Sequence, residues 1–169
     1  NASDCGFKIY PTFRPDNGFK AHDPAAFNGW VDSLAAAADR DITTLADFRE
    51  ALRARHDHFH TIGARLSDHG MEVAYSDFPT EAEAAAIFDK VRSGTAATPE
   101  EAARFSADLM LQIGRLDAER GWAMQMHLGP IRNNRPALFR ERGPDLGTDS
   151  MSDQPLARGL AAFLGRLDE

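Results

Sequence analysis

Three short extended segments alternate along this chain with much longer stretches of helical periodicity. The extended segments cover residues 6–13, 64–70 and 122–128, and each runs into glycine, proline or asparagine residues that favour turns. Helix, and not a second extended segment, follows each of them. This order favours parallel strands over hairpins, because parallel strands need a long crossover connection. The sequence therefore predicts a helix-rich α/β fold, with a mainly α fold as the alternative.

Local signals mark where the predicted helices begin and end. Thr80 followed by Glu83, and Thr98 followed by Glu101, have the spacing of a capping box, in which each side chain bonds a free backbone N–H. Asp23 is a third predicted helix start, since a proline at the first helical position follows it. Further helices are predicted from about residue 44 and after residue 153, with helix ends at Gly63, Gly94 and Gly121.

The number of predicted strands limits the architecture. A (β/α)8 barrel typically needs about 250 residues, so this chain of 169 residues is either a small α/β unit or a segment of a barrel. The helical stretches are longer than a simple crossover requires, which indicates an inserted helical subdomain. The resulting division has a barrel strand and loop in residues 3–23, inserted helices in 24–63, and further strand–helix units with a helical excursion in 64–169, including a polar loop at 132–153.

Charge and composition argue against some classes of binding partner. A formal net charge of −7 argues against a general nucleic-acid binder and against binding to anionic membranes. No apolar run approaches the roughly 20 residues that span a bilayer, and the first residues lack the pattern of a signal peptide. The single cysteine, Cys5, cannot form an internal disulfide and fits a reducing compartment. We therefore expect a cytoplasmic protein without nucleic-acid or membrane partners.

Polar side chains that could bind a ligand or transfer a proton lie where the three extended segments end. The carboxyl ends of parallel strands share one face of an α/β fold, and ligands bind there. A site on that face is therefore expected, although each pair alone also fits a local ion pair, a hydrogen-bonded core histidine or a solvated loop. The residues are Arg14 and Asp16, then Asp68 and His69, then His127 and Arg132.

The two arginines of this group indicate an anionic small molecule as the ligand. A guanidinium group holds a carboxylate through two parallel hydrogen bonds, which fixes its orientation as well as its charge. Arg14 and Arg132 follow different strands and are predicted to converge on one carboxylate or its neighbouring hydroxyls. Asp68 and His127 are then the candidates for contacts to hydroxyl groups or for proton transfer.

A pair of histidines on the second predicted helix has the spacing of a zinc-binding helix. His56 and His60 lie four residues apart, but Asp57 stands where the HExxH motif requires glutamate. His56 also falls on the apolar side of the helix, along with Leu52 and Phe59. No metal site is therefore predicted in this chain.

Four motifs resemble those of the uronate (glucuronate) isomerase family. They are FRPD at 13–16, SDH at 67–69, HLGPIRNN at 127–134 and GPDLGTDS at 143–150. Their order and spacing are similar to the family pattern over essentially the whole chain from residue 7. Phe13 departs from the tryptophan that is usual in the family, and His56 and His60 match no histidine of the pattern. Together the motifs are specific, although no single one is.

The resemblance implies a fold and an activity. The family belongs to the amidohydrolase superfamily, with a distorted (β/α)8 barrel and an added helical region, so the chain is expected to supply a three-strand portion of such a barrel. Its members interconvert D-glucuronate with D-fructuronate, and D-galacturonate with D-tagaturonate, by proton transfer between C2 and C1. By this resemblance Asp68 and His127 are expected to be catalytic. The expected substrate-binding residues are Arg14, Asp16, His69, Arg132 and Asn133.

The resemblance also implies what lies elsewhere in the protein. Family members hold a divalent metal, with zinc as the expected ion, through a His-x-His pair near the start and an aspartate after the last strand, and this chain has neither at a strand end. The chain is therefore expected to be an internal fragment that is inactive alone. Open barrel edges would favour a homo-oligomer. The alternatives are a fragment of another metal-dependent amidohydrolase-type enzyme and a non-catalytic helical binding domain.

Overall fold

A computed structural model describes residues 6–169 of the chain. Cys5 and the first residues of the predicted unit at 3–23 lie outside the described range. The described helices are α1 (Pro24–Ala38), α2 (Leu45–Thr61), α3 (Glu81–Arg92), α4 (Pro99–Arg120), α5 (Pro136–Arg142) and α6 (Leu156–Leu167), with a short 3-10 helix at Asp16–Phe19. The strands are β1 (Leu66–Met71), β2 (Ala123–Leu128), β3 (Pro130–Ile131) and β4 (Ser150–Met151). The helix-rich α/β prediction is confirmed.

The main sheet pairs β1 with β2 in parallel, as predicted for these two strands. Leu66 lies opposite Ala123 and Met71 lies opposite Leu128. At the other edge of β1 the chain adds only a single parallel bridge, in which Phe13 N donates to the Leu66 carbonyl over 3.3 Å and its own carbonyl accepts from Asp68 N over 3.1 Å. The described part of the sheet therefore has the parallel arrangement but not three full strands.

The strand predicted at residues 6–13 is wrong except at its last residue. Phe7, Ile9 and Tyr10 are exposed, so their side chains lack the layer against which a strand would pack. Pro11 has no backbone N–H and cannot donate to a ladder. An apolar, β-favouring composition is therefore not enough to form a strand here, because a strand also depends on its neighbours.

The loop predicted at residues 132–153 is also wrong in part. It contains helix α5 and strand β4, which pairs antiparallel with β3 through Pro130 opposite Met151 and Ile131 opposite Ser150. Pro136 stands at the first turn of α5, where a proline is favourable. The proline was not recognised as a helix start from the sequence, because the residues around it are mostly polar and typical of a loop.

The helix starts are confirmed in atomic detail. The Asp23 side chain accepts the Ala26 N–H, and both capping boxes predicted from threonine and glutamate are formed. A further box joins Thr44 to Asp47, which the sequence reasoning missed because aspartate replaces the usual glutamate or glutamine. Helix α4 ends at Gly121, whose φ of 63° places it in the left-handed region that glycine adopts without strain.

The main core is an aromatic cluster between helices α1 to α4. Phe27, Phe48, Phe88 and Phe105 are all buried, and the rings of Phe48 and Phe88 are 5.4 Å apart between centroids. A second, smaller core around Met110 holds α6 on α4 through Phe163. No helix among residues 6–169 is both long and apolar enough to cross a membrane. The division at residues 23 and 63 stays a prediction.

The capping box of α3 makes a testable prediction about acid stability. Hydrogen bonds from Arg104, and then from Thr80, lower the pKa of Glu83 from 4.5 to about 2. A carboxyl group with a lowered pKa in the folded state stabilises the fold above its unfolded pKa, and that contribution is lost as the pH falls through the folded pKa. We therefore expect Glu83→Gln to lose less stability than the wild type when the pH falls from 4.5 to about 2.

The free energy of unfolding, measured with urea at several pH values in this window, tests the prediction. Glu100→Gln is the matched control, because Glu100 lies in the first turn of α4 but outside its capping box, and its acid dependence should equal that of the wild type. An unchanged acid dependence in Glu83→Gln would contradict the prediction.

Candidate functional site

The two faces of the β1–β2 sheet have different environments. Ser67, His69 and Met71 are buried on one face of β1, while Asp68 lies on the opposite face. Because side chains alternate along a strand, Gln125 and His127 of β2 are on the same open face as Asp68. The candidate site is built on this open face.

Four of the predicted site residues line one cleft on this face. Arg14, Asp68, His127 and Arg132 surround a space of about 570 Å³. Met126, Leu128, Pro130, Ser150 and Met151 also line the cleft. The structure thus brings together the two arginines and the two proton-transfer candidates, as the strand-end argument requires. Their roles toward a ligand stay predictions.

Asp68 lies at the centre of the polar groups in the cleft. His127 Nδ1 is 2.6 Å from Asp68 Oδ1, and Arg14 Nε is 3.2 Å from Asp68 Oδ2. The Asp68 side chain is only 14% exposed, whereas that of His127 is 54% exposed. When Nδ1–H donates to Asp68, the lone pair of the neutral imidazole is on Nε2. Gln125 Nε2 lies 3.3 Å from that atom and can donate to it.

Arg132 is held by an aspartate that the sequence reasoning did not single out. Arg132 Nη1 donates to Asp149 Oδ2 over 2.6 Å, and Asn133 N donates to Asp149 Oδ1 over 2.9 Å. The N–H of Asn133, and then Arg132, lower the pKa of Asp149 below its ordinary value. The only signal for this role was that Asp149 lies in the GPDLGTDS motif. Arg132 itself remains 56% exposed, and Asp149 is its side-chain partner within residues 6–169.

Asn133 does not line the cleft. Its backbone has a φ of 57°, in the left-handed region, and its N–H is bound to Asp149. The following residue, Asn134, fixes the loop by donating from its side chain to the Ile131 carbonyl and to Ser150 Oγ. In this structure Asn133 therefore shapes the loop that carries Arg132.

Asp16 and His69 lie behind the cleft instead of in it. His69 is fully buried, with 0% of its surface exposed, so it differs from the expectation of a residue that contacts substrate. Its Nδ1 is 2.9 Å from Asp16 Oδ1, while Asp16 Oδ2 accepts the Gly70 N–H over 3.0 Å and the Arg14 Nη2 donor over 3.3 Å. Burial raises the pKa of Asp16, but the hydrogen bonds from His69 and Gly70 outweigh it and lower the pKa overall.

Three further buried polar residues continue from His69 and were not predicted as a group. His69 Nε2 is 2.9 Å from Ser67 Oγ, which donates to Asp117 Oδ2 over 2.6 Å. Asp117 Oδ1 in turn lies 3.0 Å from His56 Nε2. The available signal was Asp117 itself, an acidic residue directly after Leu116 on the apolar stripe of α4.

The two histidines with zinc-helix spacing have separate partners. His56 is bound to Asp117, and His60 Nδ1 accepts the indole N–H of Trp122 over 2.9 Å. Across residues 6–169 the structure contains no group of three or more histidine, cysteine, aspartate or glutamate side chains placed to hold a metal ion. The described residues therefore do not fit the divalent cation that the resemblance implies.

Comparison with known proteins identifies related sequences. The sequence model of the glucuronate isomerase family matches residues 1–169. The uronate isomerase of Solibacter usitatus is 54% identical over 167 residues, which are 99% of this chain and 36% of that protein. The uronate isomerase of Opitutus terrae is 49% identical over 161 residues, covering 95% of this chain and 34% of that protein. The chain thus spans about a third of the length of these curated relatives.

Solved structures with a similar fold agree with the sequence comparison. A uronate isomerase from Thermotoga maritima superposes with a TM-score of 0.88 at 32% identity, over 99% of this chain and 38% of that one. A glucuronate isomerase from Caulobacter crescentus superposes with a TM-score of 0.82 at 28% identity, over 96% of this chain and 33% of that one.

Proposed function

The chain belongs to the glucuronate isomerase family, and from that premise we propose that the whole protein interconverts D-glucuronate with D-fructuronate, and D-galacturonate with D-tagaturonate. The observation that carries the proposal for this chain is the cleft that holds two arginines beside the Asp68–His127 pair. Guanidinium groups bind carboxylates, and an imidazole that is hydrogen-bonded to a carboxylate can transfer a proton.

The arginines are proposed to bind the carboxylate and neighbouring hydroxyls of the hexuronate. Arg132 uses one of its terminal nitrogens on Asp149, which leaves the rest of its donor set facing solvent. Arg14 is held by Asp16 and Asp68 on the other side of the same cleft. A sugar acid between them would have its acidic end fixed while its C1 and C2 reach toward His127.

His127 and Asp68 are proposed to move the proton. In the direction from aldose to ketose, the C2–H bond breaks and a C1–H bond forms, while the hydrogen of the C2 hydroxyl passes to the C1 carbonyl oxygen. Nε2 of His127 has the lone pair to accept the C2 proton once the substrate takes the place of Gln125 at this atom, and the resulting imidazolium is stabilised by Asp68 at 2.6 Å. No step here uses the divalent cation of the family, because the described residues supply no site for it.

The finer architecture is part of the same proposal. We infer that β1, β2 and the Phe13 bridge belong to a distorted (β/α)8 barrel whose other strands lie outside this chain, with α1 to α4 as an added helical layer. The superposition on two uronate isomerase structures supports this inference. The open face of the sheet, which carries Asp68 and His127, would then point into the barrel.

A proton NMR assay of the intact protein in D2O tests the proposed function. With D-glucuronate or D-galacturonate as substrate we expect the signals of the ketose to appear. His127→Gln should abolish this, because glutamine keeps a hydrogen-bonding group but offers no base, while His58→Gln on the exposed side of α2 should not. The isolated 169-residue chain should be inactive. Absence of turnover by the intact protein on both sugars, or full activity of His127→Gln, would contradict the proposal.

A further inference from the structure

A continuous row of polar side chains, four of them buried, lies behind the cleft. It runs from Asp16 through His69, Ser67 and Asp117 to His56, with successive distances of 2.9, 2.9, 2.6 and 3.0 Å. His69, Ser67, Asp117 and His56 are each at most 2% exposed. The row crosses from the segment before α1 to β1, α4 and α2, and so ties the cleft to the interior of the protein.

The four contacts of this row need four hydrogens. Two heavy atoms with lone pairs stay at such distances only when a hydrogen lies between them. Neutral His69, the Ser67 hydroxyl and neutral His56 supply one each, and ionised Asp16 and Asp117 supply none. The row therefore holds one hydrogen more than the ordinary charge states of its members provide.

Only two groups are placed to hold the additional proton. Asp16 is not one of them, because its other oxygen already accepts from Gly70 and Arg14 and its pKa is lowered. A second proton on His56 would occupy Nδ1, which has no partner within the described residues and bridges none of the four contacts. The choice is therefore between His69, as an imidazolium, and Asp117, as a carboxylic acid.

The surroundings of His69 favour the imidazolium. Its Nδ1 faces the Asp16 carboxylate directly, and its Nε2 faces Asp117 through the Ser67 hydroxyl. An imidazole is also a stronger base than a carboxylate. Arg14 lies beyond Asp16, and Asp68 points to the opposite face of β1. The Phe19 ring packs against His69 in a T-shaped arrangement, with 6.2 Å between the ring centroids.

We infer that His69 is a buried imidazolium that positions the substrate-binding Arg14 through Asp16. Asp16 is the link, because one of its oxygens faces His69 while the other accepts from Arg14 and from the backbone of Gly70. Loss of the cation leaves Asp16 held only by neutral donors on that side and loosens Arg14 in the cleft. The role of Arg14 rests on the proposed function, whereas the protonation of His69 does not.

Neutron diffraction from deuterium-exchanged crystals of the intact protein near neutral pH tests the protonation directly. We expect deuterium on both ring nitrogens of His69, the Ser67 deuterium directed at Asp117, and no deuterium on either Asp117 oxygen. Deuterium on Asp117, or on a single nitrogen of His69, would overturn the inference. This measurement needs no activity, so it separates failure of the inference from failure of the proposed function.

Kinetics of His69→Asn in the intact protein tests the positioning role. The asparagine amide can donate to Asp16 but carries no charge, and the loss of a charge-assisted hydrogen bond predicts a KM for D-glucuronate about tenfold higher. The kcat should stay close to that of the wild type, since His69 does not contact the reacting atoms. His58→Asn is the matched control and should change neither constant. A wild-type KM, or a fall in kcat with KM unchanged, would overturn the positioning role.

Discussion

Arg132→Ala in the intact protein is expected to lower kcat/KM for D-glucuronate by about a hundredfold. Hydrogen bonds to charged groups contribute about 1.5–3 kcal/mol each, and 1.4 kcal/mol corresponds to a factor of ten. Arg132 is 56% exposed in the cleft and commits only one of its terminal nitrogens to Asp149, so it has donors available for a carboxylate. Most of the loss should appear in KM, because Arg132 is proposed to bind the acid end of the sugar and not the reacting C1 and C2.

Steady-state kinetics of two further variants test whether the effect comes from the guanidinium group of Arg132 itself. Arg132→Lys keeps the charge but not the planar pair of donors, and should fall between the wild type and Arg132→Ala. Arg135→Ala is the matched control, because Arg135 belongs to the same basic loop but does not line the cleft. If Arg132→Ala has the same kinetic constants as Arg135→Ala, the arginine does not bind substrate.

Phe48→Ala is expected to reduce the free energy of unfolding by about 3–5 kcal/mol. Phe48 is buried and its ring lies 5.4 Å from Phe88, 6.0 Å from Trp30 and 6.1 Å from Phe27, measured between centroids. Truncation leaves a cavity bordered by rings from the neighbouring helices α1 and α3, which cannot all move inward to fill it. Aromatic pairs also contribute beyond their buried area.

Urea denaturation measures this loss against an exposed phenylalanine. Phe139 on α5 is 44% exposed, and Phe139→Ala should change the unfolding free energy by no more than about 0.5 kcal/mol. A loss in Phe48→Ala as small as in Phe139→Ala would show that the aromatic cluster is not the main source of stability.

Helix positions were predictable from the sequence because their causes are local. A threonine and a glutamate three residues apart satisfy each other's backbone groups whatever the rest of the chain does, and both such boxes formed. The strand at residues 6–13 was not predictable, since an extended segment needs a partner and a packed face. Only Phe13, which is buried against α2, obtained both.

The location of the candidate site was predictable from the sequence, but the hydrogen-bond partners of its residues were not. The strand-end rule placed six residues on one face. The structure puts four of them, Arg14, Asp68, His127 and Arg132, around one cleft, whereas Asp16 and His69 do not line it. Composition could not distinguish Asp68 from His69, although one faces the cleft and the other is fully buried. The difference is one step in strand alternation, which depends on which face of β1 the helix α4 covers. Asp117 and Asp149 were missed because their significance arises only from partners far along the chain.

The pairing of β1 with β2 has a consequence for the order in which the molecule forms. Asp68 and His127 face each other across neighbouring strands but are separated by 59 positions in the chain, most of which are α3 and α4. Contacts between distant positions incur their loop-closure entropy before they stabilise anything, whereas helices form from neighbours. The helical layer can therefore assemble first and bring the two strands together afterwards. On this route the Asp68–His127 pair is completed among the last contacts, so an unfinished chain would not expose the proposed proton-transfer site.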